Sequence, residues 1–62
     1  MPISGKEMLK RYLQSGWSIA RIRGSHFIVE KDGDHETIPV HGNRDLDKGL
    51  ERALLKHLEK NR

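Results

Sequence analysis

Two glycine-containing turns divide the middle of this chain into three short runs of strand-forming residues. The first turn is Gly24-Ser25, and the second contains Asp32-Gly33, a dipeptide strongly associated with two-residue β-hairpin turns. The flanking runs are rich in β-branched and aromatic residues, which favour strands. We therefore predict antiparallel strands over residues 17–23, 26–30 and 35–40. Pro39 cannot donate a backbone hydrogen bond, so the third strand is expected at a sheet edge or to end near this residue.

The residues before the first strand carry the start and stop signals of a helix. Ser4 and Glu7 have the spacing of a capping box, in which the hydroxyl accepts from the backbone N–H of residue 7 and the carboxylate reaches back. Apolar residues then recur at helical spacing: Met8, Leu9, Tyr12 and Leu13. Gly16 is placed as a C-terminal cap, so a helix is predicted from residue 5 to residue 15.

A second amphipathic segment follows the strands. Its apolar residues recur at helical spacing and are expected on one face: Leu46, Leu50, Ala53, Leu54 and Leu58. We predict a helix over residues 47–59, with Asp45 or Asp47 as its cap.

The predicted order of elements is α-β-β-β-α, which defines an α+β fold. A chain of this size most simply packs both helices on one face of a three-stranded antiparallel sheet and leaves the other face in solvent. Side chains alternate along a strand, so Phe27 and Val29 are expected to face the helices. His26 is then expected on the open face, where a substrate has access to it.

Composition restricts the class of protein. Residues 1–62 are expected to form one domain with a small core. Lys and Arg total 12 against 9 acidic residues, a formal net charge of +3 that favours anionic partners such as nucleic acids. The absence of cysteine excludes disulfides and thiolate metal sites. Without an apolar run long enough to span a membrane or the core of a signal peptide, the protein is expected in the cytoplasm.

His26 is the leading candidate for chemistry. Histidine has an ordinary pKa of about 6.5, so its imidazole can take up and return a proton near neutral pH. For a lone histidine on a strand, a structural role is the simpler interpretation from the local sequence alone. Ser25 is expected to hydrogen-bond a phosphate or to orient His26, with a simple turn residue as the alternative. Gly24 is expected to allow a special backbone conformation or close approach of RNA.

Several cations are candidates for phosphate neutralisation, and each has an ordinary solvated charge as its alternative. They are Lys6, Arg21, Arg23 and Lys31. Arg21 and Arg23 are preferred because they are close to His26 in the sequence, and Lys6 lies in the first turn of a helix, where backbone N–H groups are free. His41 is interpreted as a hydrogen-bonding loop residue, with a role in the site as its alternative. Trp17 is interpreted as a core residue, with stacking on a base as its alternative. The histidine spacing fits no common zinc pattern, so no metal site and no cofactor are expected.

The chain resembles the HicA family, the small toxins of HicA–HicB toxin–antitoxin modules. The resemblance rests on Gly16-Trp17 after a short helix, the Gly24-Ser25-His26 element, the segment Ile38-Pro39-Val40-His41 and a leucine-rich closing helix entered through Gly49. It extends over nearly the whole chain. The Gly-Ser-His element within such a short α-β-β-β-α chain is its most specific part.

This resemblance implies a fold like the double-stranded-RNA-binding domain and a translation-independent mRNA endonuclease whose catalytic residue is His26. It also implies a HicB-type antitoxin that covers and neutralises the site, with contact to DNA only through the toxin–antitoxin complex. Two other classes remain open from the sequence: a non-catalytic RNA-binding module of the same fold, and a protein-interaction domain that uses the open sheet face.

Overall fold

The computed structural model describes residues 2–60 and contains the five predicted elements in the predicted order. They are α1 (Gly5–Gln14), β1 (Ser18–Arg23), β2 (His26–Lys31), β3 (Asp34–Pro39) and α2 (Lys48–Lys60). Seven of the ten predicted helix and strand ends differ from the observed ends by one residue, and the other three agree with them. The α+β architecture of α-β-β-β-α order, with a three-stranded antiparallel sheet, is therefore confirmed, and it is consistent with a fold like the double-stranded-RNA-binding domain.

The sheet has the strand order β1-β2-β3, so the central strand is the one that begins with His26. Asp32 and Gly33, between β2 and β3, have φ angles of 49° and 89°. Positive φ at both central residues is what a type I′ turn requires, and such a turn matches the twist of the paired strands. β3 is an edge strand and ends at Pro39, as expected from the missing N–H of proline.

Only the serine half of the predicted capping box forms at the start of α1. The Ser4 hydroxyl accepts from the backbone N–H of Glu7 at 3.1 Å. The Glu7 carboxylate instead lies 3.5 Å from Nε of Arg11, one turn along the helix, in an exposed ion pair. At the other end, Gly16 has a φ of 95°, the left-handed conformation expected of a glycine that terminates a helix.

Both helices pack on the same face of the sheet, around one small core. The buried apolar side chains of this core are Met8, Tyr12, Trp17, Val29, Ile38, Leu54 and Leu58. Val29 and Ile38 supply the sheet side of this core, so the predicted direction of Val29 towards the helices is confirmed. Within residues 2–60, no helix packs against the opposite face of the sheet.

Two residues assigned to the apolar helix faces are exposed to solvent. Leu13 is 40% exposed and Ala53 is exposed. A sheet of three strands is narrow, and each helix covers it mainly through two residues spaced four apart: Met8 and Tyr12 on α1, and Leu54 and Leu58 on α2. Residues on the flanks of these stripes remain in contact with solvent.

The two helices are also joined by a polar contact inside the core. The Tyr12 hydroxyl donates a 2.6 Å hydrogen bond to the backbone carbonyl of Leu54. A buried hydroxyl without a partner is costly, so this bond fixes the position of α2 over α1. Within the part of the chain that the structure describes, neither helix is long and apolar enough to cross a membrane.

Candidate nucleic-acid interface

The open face of the sheet carries His26 at one end of its central strand. His26 is the first residue of β2, is exposed, and is paired with Arg23 on β1 and with Pro39 on β3. Residues paired across antiparallel strands project to the same face. Because Phe27, the next residue, is paired with the buried Ile38, His26 projects away from the core, as alternation predicted.

A β-bulge in β1 determines which arginines share the face of His26. The register between β1 and β2 shifts between Ile19 and Arg21, so that Ala20 has no partner. After the shift Arg21 is paired with Ile28 and Arg23 with His26, which places both guanidinium groups on the open face. The two most favoured cation candidates therefore lie beside His26, and both are exposed.

The turn before His26 leaves space for a ligand. Gly24 has a φ of 59°, and an added Cβ there would meet no atom within 4 Å. The backbone carbonyl of Ser25 accepts a 2.7 Å hydrogen bond from the N–H of Val40, which ties this turn to the end of β3. The structure thus gives Ser25 a backbone role in positioning the neighbouring histidine.

The structure places His41 at the site, although the sequence favours a hydrogen-bonding loop residue at this position. The rings of His26 and His41 have centroids 6.3 Å apart and planes inclined at 83°. The strand register indicates that His41 lies near His26. His26 pairs with Pro39, so a residue two positions beyond Pro39 lies at the same end of the sheet. Sequence analysis missed the contact because the course of a loop after a strand is not fixed by alternation.

Lys6 and Lys31 have different positions. Lys6 is exposed in the first turn of α1, which packs against the backbone of Pro39 at the His26 end of the sheet. The Lys31 ammonium donates a 2.8 Å hydrogen bond to the carbonyl of Ser15 at the end of α1. This contact lies on the helix-bearing face, so Lys31 does not belong to the cationic group around His26.

Trp17 is part of the core, as interpreted from the sequence. It is 3% exposed and makes edge-to-face contacts with the rings of Tyr12 and His57, with centroids at 4.9 and 5.3 Å. Its ring is therefore not available to stack on a base. His57, which had no assigned function, lies with Nδ1 2.5 Å from a carboxylate oxygen of Glu36 and links α2 to β3.

Among residues 2–60 no group of three or more His, Cys, Asp or Glu side chains is arranged to hold a metal ion. The chemistry available at the His26 end of the open face comes from two imidazoles, those of His26 and His41, and two guanidiniums, those of Arg21 and Arg23, around an uncrowded glycine turn. Imidazoles transfer protons and guanidiniums bind phosphate.

A comparison with known families identifies a match. The model of the family described as the HicA toxin of bacterial toxin–antitoxin matches residues 5–59, which span nearly the whole chain. Comparisons with curated proteins and with solved structures gave no significant match.

Proposed function

The chain belongs to the HicA toxin family, and on that premise we propose that it is a ribonuclease toxin that cleaves mRNA with His26 as its catalytic residue. The observation that carries this proposal is the position of His26: an exposed imidazole on the open sheet face, next to Arg23 and Arg21. The protein is proposed to act in the cytoplasm as a single domain over residues 1–62, as the toxin of a type II module.

RNA supplies its own nucleophile, so the protein needs only to bind the phosphodiester and move protons. In the proposed reaction His26 removes the proton of the 2′-hydroxyl, and the 2′-oxygen attacks phosphorus. The bond from phosphorus to the 5′-oxygen breaks as the 2′-oxygen bond forms. The products are a 2′,3′-cyclic phosphate and a 5′-hydroxyl, once the leaving oxygen has gained a proton.

Phosphate binding is proposed for Arg21 and Arg23, with Lys6 as a further contact from the end of α1. Guanidinium groups hold phosphate oxygens by paired, charge-assisted hydrogen bonds. Gly24, which has open space around it, allows the RNA backbone to approach closely, and the Ser25 hydroxyl is proposed to donate a hydrogen bond to phosphate. This arrangement requires no metal ion.

The family is one of toxin–antitoxin modules, which implies an antitoxin partner. We propose that this partner is a HicB-type protein that covers the open face and so excludes RNA from His26. DNA binding is proposed only for the complex, through the antitoxin.

The test compares wild-type protein with His26→Ala and with His35→Ala as a matched control. His35 is another exposed histidine on the same face, paired with Glu30 at 3.4 Å and four residue pairs away from His26 along β2 and β3. Each protein is expressed under an inducible promoter while growth and mRNA integrity are followed, and purified protein is assayed on a transcript. We expect the wild type and His35→Ala to arrest growth and cleave RNA, and His26→Ala to do neither while keeping its melting temperature and RNA affinity.

Two results would contradict the proposal. RNA binding without cleavage by the wild type favours the non-catalytic binding module. No salt-sensitive association with RNA at all favours a protein-interaction domain, because phosphate contacts weaken steeply as the salt concentration rises.

A further inference from the structure

The proposed function assigns the general base to His26 but names no proton donor for the leaving 5′-oxygen. The second histidine of the pair on the open face, His41, is close enough to be considered for this role. Cleavage by the 2′-hydroxyl needs two proton transfers, one from the nucleophile and one to the leaving 5′-oxygen. These oxygens lie on opposite sides of one phosphorus atom. A single imidazole cannot contact both in one step, so a second proton donor near the first histidine is required for full acceleration.

We propose that His41 is a second catalytic residue and acts as the general acid that protonates the leaving 5′-oxygen. This inference rests on the proposed ribonuclease function. The centroids of the His26 and His41 rings are 6.3 Å apart, so both imidazoles can contact one phosphodiester group. His41 is exposed and makes no ion pair among the described residues, in contrast to His35 and His57.

The backbone holds the two histidines in this relationship. Val40 donates a 2.7 Å hydrogen bond to the carbonyl of Ser25, which joins the residues that immediately precede His41 and His26. The loop then turns back, with the N–H of Arg44 donating to the carbonyl of His41 at 3.0 Å and Gly42 at a φ of 59°. An added Cβ on Gly42 would meet no atom within 4 Å, so space beside His41 is open to a substrate.

The protons balance in this scheme. His26 receives the proton of the 2′-hydroxyl as the bond between the 2′-oxygen and phosphorus forms. The bond between phosphorus and the 5′-oxygen breaks, and the imidazolium of His41 gives its proton to that oxygen. The protein is left with a protonated His26 and a neutral His41, and exchange with water restores the starting state.

The charged side chains near His26 differ from those near His41. Arg23 is paired with His26 across the strands. Arg44 and Asp45 line the same groove as His41.

The proposed pair predicts a particular pH profile, because one imidazole must be neutral and the other protonated. We expect a bell-shaped dependence of kcat/KM on pH, and loss of the alkaline limb of this profile in a variant that lacks the acid.

The test uses two substrates that differ at one atom. The first is an oligoribonucleotide that spans a site cleaved by the wild-type protein, and the second has sulfur in place of the scissile 5′-oxygen. A thiol has a pKa of about 8.5, far below that of an alcohol, so the sulfur leaves without being protonated. The full-length variants His41→Ala, His26→Ala and His35→Ala are compared on both, with RNA affinity and melting temperature measured in parallel.

We expect His41→Ala to cleave the oxygen substrate on the order of 100- to 10,000-fold more slowly than the wild type, with unchanged RNA affinity. On the sulfur substrate the same variant should regain a rate close to that of the wild type. His26→Ala should remain slow on both substrates, because it lacks the base, and His35→Ala should be unaffected on both.

The outcomes separate this inference from the proposed function. If the wild type cleaves RNA and His26→Ala does not, but His41→Ala cleaves the oxygen substrate at the wild-type rate, His41 is not the acid and the ribonuclease proposal stands. Equal loss on both substrates, or loss through affinity alone, also overturns the role of His41. If the wild type cleaves neither substrate, both proposals fail.

Discussion

Gly5 lies so close to Pro39 that a Cβ atom on Gly5 would be 1.9 Å from the Pro39 carbonyl oxygen. This contact brings the first turn of α1 onto the end of β3, next to the histidine pair. Gly5→Ala therefore forces the helix away from the strand. We expect a loss of about 1–3 kcal/mol or more in the free energy of unfolding, measured by urea denaturation.

The chain offers a matched control for this glycine. Gly49 lies in the first turn of α2, and an added Cβ would meet only a carboxylate oxygen of Asp47 at 3.6 Å, an ordinary contact. Gly49→Ala should therefore stabilise the protein by about 0.5–1 kcal/mol, because alanine has the higher helix propensity. Equal effects of the two substitutions would refute the close packing at Gly5.

Leu54 is the most deeply buried side chain of α2, at 1% exposure. Leu54→Ala removes apolar contact and leaves a cavity between the helix and the sheet. We expect a loss of about 2–5 kcal/mol in the free energy of unfolding. The exposed Ala53 is the neighbouring control, since Ala53→Ser should change stability by less than about 0.5 kcal/mol.

Burial raises the pKa of the Tyr12 hydroxyl above its ordinary value of 10.0, and the negative charge of Glu36 acts in the same direction. The folded protein thus keeps this proton at pH values where the unfolded chain loses it. The corresponding stabilisation is fully present below about pH 10 and is lost progressively as the pH rises above that value.

Tyr12→Phe tests this dependence, because phenylalanine does not ionise. We expect the variant to show a smaller loss of stability between neutral pH and about pH 11 than the wild type in urea titrations. At neutral pH it should be less stable by about 0.5–1.5 kcal/mol, since it lacks the hydrogen bond to Leu54. Identical alkaline profiles for the two proteins would show that Tyr12 does not govern this range.

His57 and Glu36 form the half-buried contact between α2 and β3, with Nδ1 2.5 Å from the carboxylate. His57→Ala leaves the Glu36 carboxylate without this partner and should cost about 1–3 kcal/mol. The double variant with Glu36→Ala should cost less than the sum of the two single changes, which a double-mutant cycle measures. His35→Ala, which breaks only the exposed pair with Glu30, should cost less than about 1 kcal/mol.

Arg21 and Arg23 are expected to contact phosphate, and the salt dependence of RNA binding measures such contacts directly. Replacing both by glutamine should make the slope of log K against log salt concentration less steep by about 1.4, because each phosphate contact to a single strand contributes about 0.7 to this slope. Arg52→Gln with Lys56→Gln, two exposed changes on α2, is the matched control and should leave the slope unchanged. A slope that responds equally to both pairs would argue against a specific interface on the open face.

The order of elements and the exposure of His26 followed from the sequence, because the signals for them are local. A capping serine, a glycine at a helix end and an Asp-Gly turn each fix backbone conformation within a few residues. Alternation along β2 then determined that His26 and Val29 project to opposite faces. Burial on one face of each helix was also anticipated, although the narrow sheet left Leu13 in solvent.

The composition of the site depended on contacts between distant parts of the chain. Simple alternation through β1 would place Arg21 and Ile19 on the same face, and only the bulge at Ala20 puts Arg21 and Arg23 beside His26. A hydrogen bond between Val40 and Ser25, which are 15 residues apart in the sequence, brings His41 close to His26. Bulges and loop paths are selected by the packing of the whole fold, so local periodicity determined the scaffold and tertiary structure decided which side chains meet on it.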